Sequence, residues 1–238
     1  MTSRFRTLSL GCLVAFASAG CRNAPGRPGP EPEVGRPEQL VRFAPLYQQN
    51  CAGCHGSGGK NGAAISLANP VYLTIAGPKN IERVTRDGVP GTMMPAFGKH
   101  AGGMLTDQQI SILALGMLDT WGHSDTPAPP YQSAAPGDPI QGQKAFTVFC
   151  ARCHGADATG KTKDTSSLVD PAYLALVSDQ SLRTAILAGQ SERGMPDWRS
   201  DLIGANARPM TDQEITDTVA WIASHRIATP GQPYQKSE

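Results

Sequence analysis

The pentapeptide CAGCH, residues 51–55, decides the fold of this chain of 238 residues. The same pattern, two cysteines separated by two residues and followed directly by a histidine, returns as CARCH at residues 150–154. A pattern that recurs with matching residues around each copy indicates a duplicated structural unit. We therefore interpret the remaining residues by their positions relative to these two pentapeptides.

Each pentapeptide carries the signature C-x-x-C-H, by which haem c is attached to protein. Two thiols three positions apart can each form a thioether bond with one vinyl group of the same haem. The histidine that follows the second cysteine then lies under the iron and supplies the proximal nitrogen. We therefore predict two haem c groups, held by Cys51, Cys54 and His55 in one site and by Cys150, Cys153 and His154 in the other.

Other uses of paired cysteines account less well for this sequence. Four thiolates could bind one zinc ion, but the cysteine pairs of structural zinc sites usually lie much closer together in the chain. A thioredoxin-like dithiol belongs in a βαβ context, which is absent here. Two structural disulfides would leave the histidine after each pair unexplained.

The residues around the pentapeptides repeat as well. An aromatic residue precedes the first cysteine by four positions in both copies, and each copy ends in a capping box followed by apolar residues at helical spacing. The matched pairs are Tyr47 and Phe146, Pro70 and Pro171, Gly88 and Gly189, Met94 and Met195, and Thr106 and Thr211. Because the periodicity is helical throughout, we predict an all-α fold of two tandem domains, each wrapped around one covalently attached haem.

Composition shifts give the domain boundaries. The two copies occupy residues 38–123 and 140–228, and residues 229–238 form a C-terminal tail. Residues 124–139 between the copies contain five prolines and little apolar surface, as expected of a linker at a domain boundary. Aromatic residues make up only 6% of the chain, so two haem groups would supply apolar surface that the side chains lack.

The N-terminal residues predict export. Residues 1–20 combine two early arginines, an apolar run too short to span a bilayer and an A-x-A cleavage pattern at residues 17–19, which together indicate a secretory signal peptide. Residues 18–21 also resemble a bacterial lipobox, although Ser18 stands where leucine is usual. Cys21 would then be the lipidated first residue of the mature protein. Ordinary cleavage after Ala19, which leaves a free thiol at Cys21, is the alternative.

A short segment follows the cleavage region. Residues 21–37 are rich in proline, glycine and arginine, and such a segment cannot bury enough apolar surface to fold. We interpret it as a tether between a lipid anchor at Cys21 and the folded domains. The protein is therefore expected on the periplasmic side of the membrane, anchored there by lipid.

A methionine is the expected sixth ligand of each iron. Met94 and Met195 lie 39 and 41 residues after their histidines, and each directly precedes a proline that stiffens the loop. Thioether sulfur is a soft ligand that favours ferrous iron and raises the reduction potential. Less favoured candidates are Met93, Met104, His100 and His123 for the first iron, and Met210 and His225 for the second.

Residues 38–228 resemble two fused class I cytochrome c domains. The features that carry the resemblance are C-x-x-C-H-G, the loops Met94-Pro95-Ala96-Phe97 and Met195-Pro196-Asp197-Trp198, and the terminal helix. The resemblance implies a small all-α domain whose first and last helices cross at nearly a right angle, with one haem edge exposed. It also implies an electron carrier rather than an enzyme, with an oxidase, a reductase or a quinol-oxidising complex as redox partner.

Two other functions stay open at this point. A diheme peroxidase or a thiosulfate-type dehydrogenase also uses C-x-x-C-H sites, but it needs an iron with an open or labile position, which the two Met-Pro loops argue against. A fixed cytochrome subunit of a larger membrane respiratory complex is the other alternative. The formal net charge of +1 gives no basis for nucleic-acid binding.

One departure from the family pattern concerns the helix crossing. The family places a small glycine eight residues before the first cysteine, where the last helix approaches. Gly142 fits this position in the second copy, but Phe43 occupies it in the first, and on the last helix Trp221 aligns with Gly116. We hypothesise that Phe43 packs over Gly116 as Trp221 packs over Gly142, with the large and small residues exchanged between helices.

Overall fold

The computed structural model describes residues 35–122, 124–161, 165–202 and 207–228. The predicted signal peptide, Cys21 and the C-terminal tail lie outside these ranges. Within them every regular element is a helix, and the β-type pairing amounts to two isolated bridges, Gly98 with Leu105 and Gln190 with Met195. The predicted all-α class is confirmed.

The chain divides after Gln39 into two compact units. The described part of the first unit is a 3-10 turn over Pro37–Gln39. The second unit, from Leu40 onwards, contains both copies of the repeat. In the ranges that the structure describes, no helix combines the length and the apolar character needed to cross a bilayer.

The first copy contains four α-helices: α1 (Phe43–Asn50), α2 (Ala52–His55), α3 (Pro70–Asp87) and α4 (Asp107–Trp121). Helix α1 begins only at Phe43. The reason is Pro45, which has no N–H to donate to residue 41 inside a longer helix. A start at Phe43 places Pro45 in the first turn, where no such donor is required.

Helix α3 is interrupted at Gly77, whose backbone has a left-handed φ of 63° and is followed by Pro78. The second copy has a full break at the corresponding place. Its helices are α5 (Pro139–Phe149), α6 (Ala151–His154), α7 (Pro171–Leu176), α8 (Asp179–Ala188) and α9 (Asp212–Ala223). The last helix, α9, ends at Ala223, where the Ser224 amide still donates to the Ala220 carbonyl and the Ser224 hydroxyl donates to the Trp221 carbonyl.

Both predicted helix crossings are present. A Cβ atom on Gly116 would lie 2.4 Å from the Phe43 ring, so that ring packs directly on α4. A Cβ atom on Gly142 would lie 2.9 Å from Cβ of Trp221 and only 1.9 Å from the carbonyl oxygen of Asp217. The hypothesis of exchanged large and small residues is confirmed, with one addition: in the second copy the two helix backbones themselves meet.

The linker is more firmly attached than its composition suggested. The buried Arg183 guanidinium donates to the carbonyl oxygens of Pro130 (2.8 Å) and Tyr131 (3.1 Å). The same guanidinium pairs with Asp212 and donates to the Thr216 hydroxyl, 3.0 Å away. The linker is therefore bound to α8 and α9 rather than loose between the copies.

Candidate haem sites

The two pentapeptides fold into the same local structure. Cys51 is the C-cap of α1, and the single turn α2 follows at once, with the amide of His55 donating to the Cys51 carbonyl at 3.0 Å. In the second copy the His154 amide donates to the Cys150 carbonyl, also at 3.0 Å. Each pair of thiols and its histidine are thus displayed from one helical turn, as attachment to a single haem requires.

The two cysteines of each pair differ in exposure. Cys51 is buried and Cys150 is half-buried, whereas Cys54 and Cys153 are exposed. Burial, and then the neighbouring cysteine, raise the pKa of the Cys51 thiol to about 11 and that of the Cys150 thiol to about 12. As free groups these two thiols would stay protonated at neutral pH, in the apolar surroundings that a thioether bond suits.

His55 is oriented by the loop that follows it. Its ring is buried, and Nδ1 lies 2.8 Å from the carbonyl oxygen of Ile65. Because a carbonyl can only accept, Nδ1 carries the proton in this contact and Nε2 is left with its lone pair. Burial lowers the pKa of His55, which also favours the neutral ring that iron needs. This is the arrangement by which proteins orient a ligating histidine.

His154 lacks the corresponding partner among the described residues. Burial lowers the pKa of His154, and its Nδ1 is buried without a hydrogen bond in those ranges. The loop after His154 also differs: Ala158, buried and with a left-handed φ of 58°, replaces Gly59, whose φ is 76°. The two histidines therefore sit in unequal surroundings although their pentapeptides match.

The two Met-Pro loops are held by one shared device. A glycine with left-handed φ ends the preceding helix, Gly88 after α3 and Gly189 after α8. A Cβ atom on either glycine would lie 2.8 Å from the carbonyl oxygen of Met94 or of Met195. Only glycine permits both this backbone conformation and this close approach. Both methionines are half-buried.

Backbone bonds complete each loop. The Met94 carbonyl accepts from Val89 at 3.0 Å, and the Met94 amide donates to the Thr92 hydroxyl. In the second copy Gln190 and Met195 exchange two backbone hydrogen bonds, of 2.9 and 3.1 Å. The backbone of each candidate sixth ligand is thus fixed at the end of a helix.

The competing methionines lie elsewhere. Met93 is 84% exposed and Met104 is 73% exposed, so neither side chain is enclosed by protein. Met210 is buried in a hydrophobic cluster, and its structural counterpart is Leu105 rather than Met104. The amides of Leu105 and Met210 donate to the carbonyls of Phe97 and Trp198, at 2.9 and 2.8 Å.

The competing histidines have other contacts. Nε2 of His100 lies 3.2 Å from the Asp87 carboxylate on the surface. Nδ1 of His225 lies 2.9 Å from the Trp221 carbonyl, and its ring packs edge-on against the indole. His123 lies outside the described residues.

The residues present fit a haem c in each copy better than a metal ion bound directly. Among the described residues no three or more His, Cys, Asp or Glu side chains gather as a metal site would require. Each copy instead offers two thiols and an imidazole on one turn, and a half-buried thioether on a braced loop. These neutral sulfur and nitrogen groups suit an apolar, covalently held cofactor.

Comparisons with known families match each copy separately. Residues 38–115 match the family described as cytochrome c oxidase, cbb3-type, subunit III. Residues 140–226 match the family described as cytochrome c.

Three curated relatives illustrate the similarity. The chain is 30% identical over 144 residues to the cbb3-type cytochrome c oxidase subunit CcoP of Azospirillum sp. (strain B510), covering 54% of this chain and 45% of that protein. It is 29% identical over 177 residues to the subunit FixP of Sinorhizobium medicae (strain WSM419), covering 67% of this chain and 56% of that protein. It is 39% identical over 77 residues, 31% of this chain, to cytochrome c6 of Leptolyngbya boryana, of which it covers 84%. The chain thus spans about half the length of the two oxidase subunits.

Proposed function

We propose that this chain, a diheme class I cytochrome c with two covalently bound haem c groups, carries electrons between partner proteins on the periplasmic side of the membrane. When bound, each haem supplies an iron that cycles between the ferric and ferrous states. Nε2 of His55 and of His154 would supply the proximal nitrogens, and the sulfur atoms of Met94 and Met195 would supply the sixth ligands. Cys51, Cys54, Cys150 and Cys153 would form the thioether bonds.

The observation that carries this proposal is the pair of matched loops. Gly88 and Gly189 hold the backbones of the two methionines in the same way, although the surrounding side chains differ. A sixth ligand fixed by the backbone would keep the iron site closed to substrates. The geometry of such a site would change little on electron transfer. These are the requirements of a carrier rather than of a peroxidase or dehydrogenase.

The test separates a carrier from an enzyme. We expect the ferric holoprotein to be low-spin at both haems and to show the sulfur-to-iron absorption band at the red end of the spectrum. Cyanide and carbon monoxide should bind slowly to both haems. A high-spin haem that binds either ligand rapidly would favour catalysis at an open iron.

A fixed place in a membrane oxidase is the second candidate function. It is supported by the relatives, which are subunits of cbb3-type cytochrome c oxidases. Purification of the tagged protein from detergent-solubilised membranes distinguishes the two arrangements. Oxidase subunits that co-purify in fixed ratio to this chain would favour the fixed subunit, and recovery of the cytochrome alone would favour a shuttle.

Anchoring by a lipid on Cys21 belongs to the same proposal. It rests on the lipobox-like residues 18–21 and on the tether-like composition of residues 21–37. C21S should release the haem-containing protein from the membrane fraction, or leave it unprocessed at the signal peptide. Membrane retention of a correctly processed C21S protein would contradict lipid anchoring.

A further inference from the structure

The first copy of the repeat contacts the second at the turn that carries Met195. Asn69 is the N-cap of α3, where its Oδ1 accepts from the amides of Val71 (2.9 Å) and Tyr72 (3.1 Å). Its Nδ2 donates to the carbonyl of Ala188, the last residue of α8, at 2.8 Å in a buried contact. One side chain therefore caps a helix in the first copy and binds a helix end in the second.

The residues after Ala188 lead directly to the candidate ligand. Gly189 lies against the Met195 carbonyl, and Gln190 exchanges two backbone hydrogen bonds with Met195. Ala188 itself packs in the hydrophobic core of the first copy. A displacement of the Ala188 carbonyl would therefore move the turn on which the Met195 loop rests.

A second contact reaches the same loop from its other end. Trp198, three residues after Met195, is buried in a cluster with Val71 of α3 and with Leu187, Met210 and Ile215 of the second copy. One end of the loop is thus bound by the N-cap of α3, and the other end lies in a cluster that includes Val71 of α3. In the first copy, the turn equivalent to Ala188 carries Asp87, which pairs at the surface with His100 of the same copy.

We infer that Asn69 is a positioning residue for the sixth ligand of the second haem. The first copy is then part of the second iron site, since it braces the Met195 loop, and the inference rests on the proposed role of Met195. The two copies differ in this respect. The equivalent N-cap in the second copy is Asp170, which accepts from the Tyr173 amide but has no N–H to donate.

The difference between Asn69 and Asp170 suggests the substitution that tests this inference. N69D keeps the acceptor that caps α3, and a carboxylate serves the same purpose at Asp170. N69D removes the donor to Ala188 and also sets a carboxylate oxygen against that carbonyl. N80D is the matched control, because Asn80 also lies on α3 and donates from Nδ2 to a carbonyl, that of Ala76 at 2.8 Å, within its own helix.

The measurement uses the full-length ferric holoprotein carrying M94H, which removes sulfur from the first iron. The remaining sulfur-to-iron band then reports on Met195 alone. In this background we expect N69D to bind cyanide at the second haem about tenfold faster than N80D. A tenfold change corresponds to about 1.4 kcal/mol, which lies in the range for the loss of one buried hydrogen bond. N69D should also lose the band at a lower urea concentration, while N80D behaves as its parent.

The outcomes separate the inference from the proposed function. Equal cyanide rates and band stability for N69D and N80D, with the band present in the parent, would overturn the inference and leave the role of Met195 intact. Absence of the band in the parent would overturn the role of Met195 and the inference with it. Should N69D fail to fold, V71A removes methyl groups from the cluster that contains Trp198 and leaves the N-cap intact. The same increase in cyanide rate and the same loss of band stability are then expected.

Discussion

At the scale of single residues, Gly88 and Gly189 bring the two candidate methionines to their places. Each combines a left-handed φ with a backbone approach that leaves no room for a Cβ atom. Each loop also contains a second glycine of left-handed φ, Gly91 or Gly194, with nothing within 4 Å of its Cβ position. Substitution of Gly91 or Gly194 therefore serves as a control that tests the effect of φ alone.

G88A should displace the Met94 loop and weaken the sulfur-to-iron band of the first haem, because the new Cβ would lie 2.7 Å from the Ala96 amide nitrogen. G91A should keep the band and lower the free energy of unfolding by about 1–2 kcal/mol, the cost of a left-handed φ at a residue with Cβ. Ferric spectra and urea unfolding of both holoproteins check this. Equal bands in the two variants would show that the close approach does not position Met94.

The residue scale also shows what the sequence could predict. Cys51, Cys54 and His55 are adjacent in the chain, so their grouping needs no tertiary information, and the second copy repeats it. Asn69 was recognisable only as the residue before the start of a helix. Its bond to Ala188 joins residues 119 positions apart, and no local pattern distinguishes an asparagine that only caps a helix from one that also donates to the other copy of the repeat.

At the scale of helices, the two crossings solve one packing problem in different ways. In the first copy an aromatic ring lies on Gly116, and in the second the Asp217 carbonyl lies on Gly142. The matched positions in the sequence predicted which residues meet. They did not predict the close approach of the two backbones in the second copy. In the first copy α1 begins at Phe43, so no helical turn precedes that residue and could approach α4.

G142A should destabilise the holoprotein more than G116A. A methyl group on Gly142 would lie 1.9 Å from a backbone oxygen, which can yield only if α9 moves. A methyl group on Gly116 would lie 2.4 Å from the Phe43 ring and 2.8 Å from Cβ of Phe43, so relief requires a shift of this one residue at the start of α1. We expect a loss of about 3 kcal/mol in the free energy of unfolding for G142A and about 1 kcal/mol for G116A. Urea denaturation gives both values, and the reverse order would contradict this account of the crossings.

The capping boxes of the last helices should respond differently to pH. Hydrogen bonding to Arg208 lowers the pKa of Glu214 in the second box to about 2 from its ordinary 4.5. The first box uses Gln109, which does not titrate. A carboxyl whose pKa falls on folding stabilises the protein above its unfolded pKa and loses that contribution as pH falls towards 2.

E214Q should therefore lower the free energy of unfolding at pH 6 by about 0.5–1 kcal/mol, the range for a partly exposed ion pair. The Glu214 carboxylate accepts two charge-assisted bonds from Arg208, at 2.8 and 2.6 Å, and a glutamine amide has only one oxygen to accept them. The difference between E214Q and the wild type should shrink as the pH is lowered from 4.5 towards 2. Urea unfolding of the wild type and E214Q at several pH values checks this. A difference independent of pH would show that Glu214 acts only through packing.

At the scale of the whole molecule, the linker and the contact between Asn69 and Ala188 join the two repeats into one compact unit. The composition of residues 124–139 predicted a boundary, as their prolines and sparse apolar surface suggest. The structure adds Arg183, whose buried guanidinium binds linker carbonyls, Thr216 and Asp212 together. A sequence pattern could not reveal this, because one arginine in an amphipathic helix is ordinarily a solvated charge.

R183M should lower the free energy of unfolding by about 2–4 kcal/mol, because it leaves the Pro130 carbonyl and the Asp212 carboxylate without the Arg183 donor. The Tyr131 carbonyl loses one of its two donors and keeps the bond from Nε2 of Gln180, at 2.8 Å. The linker should also become sensitive to limited proteolysis. R193M, at an exposed arginine, is the control and should change neither property. Unchanged proteolysis of R183M would indicate that the linker is held by its other contacts.

The central claim is that both irons carry a methionine sulfur, from Met94 and from Met195. The most direct measurement is the amplitude of the sulfur-to-iron band per haem in the ferric wild type, M94H, M195H and the double variant. The account predicts that each single variant loses about half of the band and that the double variant loses it all. A single variant that keeps the full amplitude would contradict the assignment of that methionine.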